Sequence, residues 1–325
     1  MVSRTSIPDG FPSVEVEVGN SSKRSTTSIP SGNNTFLPPP PFTFPPQPFS
    51  QIKIVPSNSM RQSGLKATEI ALLRKKQERL TSTETTTLDA LSTLPNQANL
   101  QNALSATLIF AQYEAGTAVC IDRAGWLLTC AHCFGDDGQE YKKLNKKKWL
   151  LFHNGLAVQA ECKVWDPKRD LALLQIIAIE SDKAESDTLT TFPFVNLSTS
   201  VPRPRMPIFC IGQPGSDDLE SASARKTNYN LMEVSEGKFL GMVPNADPQD
   251  NSEIGTLKHD AWTYWGHSGA PLLSAKDGTL IGLHSSWDDQ SATRHGVPQV
   301  AIQEFLQKEV PAAMRSHMSI DLGGD

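Results

Sequence analysis

The chain has 325 residues, with 30 Lys and Arg against 35 Asp and Glu and a formal net charge of −5, which disfavours a polycationic binder of nucleic acid or membrane surfaces. Hydrophobic residues make up only 38%, low for a chain packed from end to end, and no apolar run approaches the roughly 18 residues of a membrane span. The length allows about two domains of roughly 150 residues each, with part of the chain left unfolded.

The N-terminus, MVSRTSIPDGFPSVEVEVG, lacks the apolar run of a signal peptide and carries Asp9, Glu15 and Glu17 where a transit peptide avoids acids. Five cysteines, Cys120, Cys130, Cys133, Cys162 and Cys210, are irregularly spaced and odd in number. Both features predict an intracellular protein, cytoplasmic or nuclear, with reduced thiols.

Residues 1 to 63 read as a disordered Pro/Ser-rich arm. Ten of the 23 prolines fall in the first fifty residues, and such a segment buries too little apolar surface to offset its chain entropy. From Gly64 the texture becomes GLKATEIALLRKKQERL, with Leu65, Ile70, Leu73 and Leu80 at helical spacing among charges. Residues 64 to 102 therefore read as a helical linker segment, with further short helices over 87–93 and 98–104. The arm and this helix are the places where a protein partner would dock, although docking on the following domain is the simpler use of the helix.

From about residue 103 to 310 the pattern is short β-branched and aromatic runs divided by Gly, Pro, Asn and Asp. Strands are predicted at 106–111, 116–121, 126–130, 149–153, 157–165 and 171–177. After a linker at 184–205, more follow at 207–212, 230–234, 237–243, 255–261, 270–274, 279–285 and 296–300. The fold class is thus all-β, two six-stranded antiparallel barrels at about 103–183 and 206–300. A closing helix is predicted at 300–308, and 311–325 reads as a tail. The lysine-rich YKKLNKKKW reads as a solvated loop and the six tryptophans as core.

Three stretches carry chemistry: GTAVCIDRAGWLLTCAHCF, with His132 after an apolar strand; VWDPKRDLALLQI, with Asp170 opening a strand; and YWGHSGAPLL, with Ser268 in a turn between glycines. Singly, each has an ordinary explanation as a boundary histidine, a turn former or a plain turn. Jointly they supply a base, an orienting acid and a nucleophile, two from the first barrel and one from the second. Asp166 is the rival acid.

These motifs, in the order His, Asp, Ser, resemble a trypsin-like (chymotrypsin-fold) serine peptidase, closest in texture to the HtrA-like and glutamyl-endopeptidase branches. TCAHC is similar to the His box, RDLALLQI to the Asp strand, and GHSGAP to the Ser loop, with PIFCIGQPG similar to the opening of the second barrel. An α/β-hydrolase would run Ser, acid, His.

The resemblance implies a serine endopeptidase acting on polypeptides through an acyl-enzyme. His132 would be the general base, Asp170 its orienting partner and Ser268 the nucleophile, with the N–H groups of Gly266 and Ser268 as the oxyanion hole. It also places Thr263 and His284 on two walls of the primary specificity pocket, where glutamyl-endopeptidase-like enzymes hold a substrate carboxylate. HtrA-like enzymes prefer small aliphatic residues there.

Several departures carry expectations of their own. Cys133 lacks the usual partner on the preceding strand, so no disulfide is required. His267 stands where zymogen-type relatives carry the Asp that receives a new N-terminus, so that switch should be missing. The end at Asp325 leaves no room for a PDZ domain. No cofactor is implied, and no metal site: Cys130-Ala131-His132-Cys133 is formally a CxxC without a second pair. The competing functions are a catalytically silent trypsin-fold binding module and an esterase or transferase using the same three residues.

Overall fold

The computed structural model describes residues 42, 44–45, 52–92, 96–112, 116–182, 191–216 and 225–320; most of the arm and residues 321–325 lie outside them. Two closed barrels make up the body. The first contains β2 (Thr107–Phe110), β3 (Thr117–Asp122), β4 (Trp126–Thr129), β5 (Lys147–Phe152), β6 (Ala157–Asp166) and β7 (Leu171–Glu180). Its strand order is β7-β4-β3-β2-β5-β6, closed by β6 pairing antiparallel with β7. The second contains β8 (Pro207–Gly212), β9 (Glu233–Met242), β10 (Leu257–His259), β11 (Pro271–Ser274), β12 (Leu280–Asp288) and β13 (Thr293–Pro298), closed in the order β10-β13-β12-β11-β8-β9. Closure removes the exposed edges that open sheets must protect.

The structure corrects several expectations. Disorder is expected as far as residue 63, but Lys53–Val55 forms β1, which pairs in parallel with β7, Lys53 opposite Ala178, and Ser57–Ser63 is a short 3-10 helix. Phe44, inside the Pro-rich run, stacks on Trp126 of the first barrel at 6.0 Å, so this part of the run is spent on its own chain. The helices are not all short. α1 (Ala67–Ser92) is continuous, with neither Gly nor Pro to interrupt it, and α2 (Gln97–Ala106) follows.

Leu73, Lys76 and Leu80 lie on one buried face of α1, three and four residues apart as a helix face requires. The Lys76 ammonium donates to the Phe110 carbonyl at 2.7 Å, and Gln77 reaches the Gly155 carbonyl at 3.0 Å and Glu180 at 2.9 Å. This face of α1 is therefore occupied by the barrel, as the simpler reading of the helix required.

In the second barrel the strands expected at 230–234 and 237–243 are one, β9. Gly237 gives no break; it leaves room for the backbone of Ala261, which a Cβ there would strike. The closing helix, α4 (Gln299–Ile320), runs through Pro311 and beyond Lys308, with Ile302, Phe305, Leu306 and Val310 buried. The lysine-rich stretch is only partly a solvated loop: it includes α3 (Gly138–Lys143), capped by Asp137, and Lys148 is buried with its ammonium 4.6 Å from the Phe134 ring centroid. Trp265 and Trp287 are exposed rather than core.

The larger apolar cluster runs from the first barrel through α1, α2 and α4 into facing side chains of the second barrel such as Leu283 and Val297. The cluster inside the second barrel is smaller, with Ile208, Phe239, Leu257, Leu272 and Ile281. Between the barrels lies a backbone seam. Thr117 N–H on β3 donates to the Ser268 carbonyl at 3.0 Å, and Thr129 Oγ1 on β4 donates to the Thr117 carbonyl at 2.7 Å. Gly269 sits against these two threonines so closely that a Cβ would strike both.

Candidate active site

His132 lies in a single 3-10 turn, Ala131–Phe134, directly after β4. Gly135, at φ 128, closes that turn against the backbone of Tyr141. Asp170 opens β7 with φ 52, a left-handed conformation that Asp tolerates better than most residues. The turn before it throws its carboxylate across to His132. Oδ1 accepts from His132 Nδ1 at 3.0 Å and from the His132 backbone N–H at 3.1 Å, while Oδ2 accepts from Ser285 Oγ at 2.6 Å. The rival Asp166 is instead paired with Arg169 at 2.8 Å.

These contacts bear on the charge states. Burial of Asp170 would raise its pKa, but the hydrogen bonds and charge of His132 and the hydroxyl of Ser285 hold it below the usual carboxylate value. Burial would lower the pKa of His132, and the Asp170 carboxylate, helped by Asp136, holds it above the usual histidine value.

Ser268 is presented by two successive turns. His267 N–H donates to the Tyr264 carbonyl at 3.1 Å and Ala270 N–H to the His267 carbonyl at 2.7 Å. The third residues of these turns are Gly266 at φ 101 and Gly269 at φ 81, the position where a type II turn demands glycine. The peptide N–H groups of Gly266 and Ser268 donate to no other group among the described residues. His267 is buried, its Nδ1 3.1 Å from the Tyr264 N–H and 3.0 Å from the Tyr264 carbonyl oxygen, so it ties the turn together from within.

His132 and Ser268 line one cavity of about 660 Å³, together with Thr263, His284, Arg294 and the exposed Trp265 and Trp287. The six residues expected at the site are thus gathered here: Gly266 lines the cavity beside Ser268, Asp170 stands behind His132, and Thr263 and His284 lie on the far wall. Thr263 Oγ1 accepts from Arg294 Nε at 3.1 Å. His284 Nδ1 lies 3.0 Å from Nε2 of the buried His259. Burial pushes His259 down to about 3 and His267 down to about 4, with Arg294 nearby adding to both. His284 is likewise held well below its ordinary value, first by burial and then by the adjacent His259 and His267. These rings are neutral.

Two participants escape the sequence. Ser285 and Arg294 belong to no motif, and only the pairing of β12 with its neighbours brings them to Asp170 and Thr263. All five cysteines are free thiols, and burial raises every one, Cys133 and Cys210 to about 12 and Cys162 to about 11. Among the described residues Cys130, His132 and Asp170 bring three donor atoms within 4.8 Å of one another; the histidine and aspartate donors are engaged with each other.

An imidazole backed by a buried carboxylate, at the junction of two six-stranded barrels and sharing a cavity with a serine on a glycine turn, is the arrangement of a serine peptidase. The family model for the trypsin-like peptidase domain matches residues 116–283, just over half of the chain, and the protein belongs to that family, as a serine endopeptidase. No curated protein sequence matches it. Among solved structures it is similar to the serine endoprotease from Yersinia pestis, at 19% identity over 66% of this chain and 67% of that one with a TM-score of 0.48. It is also similar to the HtrA-type protease AlgW with decapeptide, at 20% identity over 60% of this chain and 52% of that one with a TM-score of 0.41. The match thus takes in about half the length of the second.

Proposed function

We propose that the protein cleaves polypeptides through an acyl-enzyme formed on Ser268, with a preference for an acidic residue before the cut. The observation that carries the reading is the commitment of His132 Nδ1 to the ionised Asp170, which leaves Nε2 as the nitrogen for Ser268. A serine hydroxyl is a poor nucleophile near neutral pH. His132 takes its proton during attack on the carbonyl and returns it to the leaving amine. Asp170 fixes the tautomer and stabilises the imidazolium formed between these steps. The uncommitted N–H groups of Gly266 and Ser268 receive the negative charge that develops on the carbonyl oxygen, each worth on the order of 3 kcal/mol in the transition state.

Acidic preference is supported by the hydroxyl of Thr263 and the ring of His284 on the wall of the same cavity. A neutral imidazole with Nδ1 engaged by His259 can still present Nε2–H to a carboxylate. The test has two arms. A fluorophosphonate probe should label the protein, and Ser268→Ala should abolish labelling and lower the turnover rate by roughly 10⁶-fold with its melting curve unchanged. Labelling that persists in this variant would overturn the assignment. A peptide-library profile should show Glu or Asp before the cut; Val, Ala, Phe or Arg there would reject the preference.

A further inference from the structure

The cavity that Ser268 lines contains one guanidinium, and the acyl chemistry does not use it. Arg294 lies on β13, opposite Trp287 of β12 and opposite His259 of β10. Its Nε is spent on Thr263 Oγ1, and its two Nη groups have no carboxylate partner among the described residues. Among the described residues Asp289 is the single acidic side chain lining the cavity, and Arg294 the single Lys or Arg.

We propose that Arg294 is the residue that selects an acidic side chain of the substrate, supplying the positive charge while Thr263 and His284 supply neutral polar contacts. This rests on the reading of that cavity as the primary specificity pocket. A guanidinium offers donors in a fixed planar fork that matches a carboxylate, and the bond from Nε to Thr263 fixes the plane of that fork. His284 cannot carry the charge as readily. It is buried, its neighbours His259 and His267 surround it, and Arg294 is itself among the causes that keep it unprotonated. The positive charge that faces the substrate is therefore permanent.

Permanence has a visible consequence. Among the described residues the groups around Arg294 are Thr263, the buried His259, His267, His284, His295 and Cys210, and the exposed Asp289. The three histidines held far below their ordinary value stay neutral above pH 6, so the preference for Glu over the isosteric Gln should be level from about pH 6 to 9. A selecting imidazolium would lose it across that range.

The experiment compares kcat/KM for two peptides that differ only in Glu or Gln before the cut. The ratio does not depend on how much of a variant is folded. In the wild type Glu should be favoured; Arg294→Gln should reduce that ratio about 100-fold, and Arg294→Lys should restore most of it. Retention of the Glu preference in Arg294→Gln, or its decay between pH 6 and 9 in the wild type, would overturn the assignment to Arg294 while leaving the acidic pocket standing. A wild type indifferent to Glu and Gln would overturn the pocket reading and this assignment together.

Discussion

The two barrels share a strand count and differ in what they bury. The first is filled by aliphatic and aromatic side chains such as Leu108, Leu127, Leu150, Leu173 and Trp149. The second has a small apolar core and four buried histidines, His259, His267, His284 and His295. Burying neutral imidazoles is costly unless each finds partners, so the second barrel accepts a weaker interior. What it gains is a polar wall for the cavity. One barrel holds His132 and Asp170 in fixed relation, and the other supplies the wall of the cavity that Ser268 lines.

That contrast can be broken at the first barrel. Replacing Asp170 by Asn should lower kcat/KM about 10⁴-fold, because the amide accepts less strongly and cannot stabilise an imidazolium. Steady-state kinetics on a good peptide substrate checks this, and a fall of less than tenfold would mean that Asp170 does not orient His132.

The second barrel should be the weak point in acid. His259 and His267 have folded values of about 3 and about 4 and His284 is also depressed, whereas an unfolded histidine titrates near 6.5. Below pH 6.5 the unfolded chain binds more protons, so stability falls with pH through the window from about 6.5 down to these folded values. His132, with its raised value, acts in the opposite sense but is a single group. The expected loss between pH 7 and 5.5 is roughly 3 kcal/mol, measurable by urea unfolding. An unchanged midpoint would show that these rings are already protonated in the folded state.

A smaller effect should sharpen the contrast where the barrels meet. Ser285, on β12 of the second barrel, donates to Asp170 of the first and acts only through it. Ser285→Ala should reduce kcat/KM about tenfold, an effect of one lost charge-assisted bond. It should also move the acidic limb of the pH profile upward, because a carboxylate relieved of that donor binds the imidazolium more strongly. In the wild type this limb should already lie above 6.5, since His132 must be neutral to act and its pKa is raised. Ser285→Thr should restore both properties; a rate loss with no movement of the limb would make Ser285 a packing residue.

The barrels were legible in the sequence, and so were the motifs that the structure gathers around one cavity, because each rests on local chemistry. Glycines at 266 and 269 announce a turn that only glycine fits, and an acid before LALL announces a strand start. What it concealed depends on pairing over long distances. Ser285 meets Asp170 across 115 residues, and Arg294 in TRHG looks like any surface arginine until β13 is laid beside β10 and β12. β1 is three residues long and bonds to a strand about 125 residues later, too short to be seen against the prolines around it. The break expected inside β9 failed for a related reason: Gly237 is there for the approach of Ala261, which is invisible in one dimension.

The seam between the barrels fixes more than their packing. Ser268 is located by its own carbonyl on Thr117, and Thr117 is held by Thr129, three residues before His132. In the language of machining, Ser268 and His132 are dimensioned from one datum, the paired ends of β3 and β4, through very few intervening parts. Thr263, His284 and Arg294 stand in the same barrel as Ser268, so the cavity wall keeps its register with the hydroxyl and the seam relates both to the imidazole. Anything that disturbs this seam therefore reaches Ser268 and His132 together.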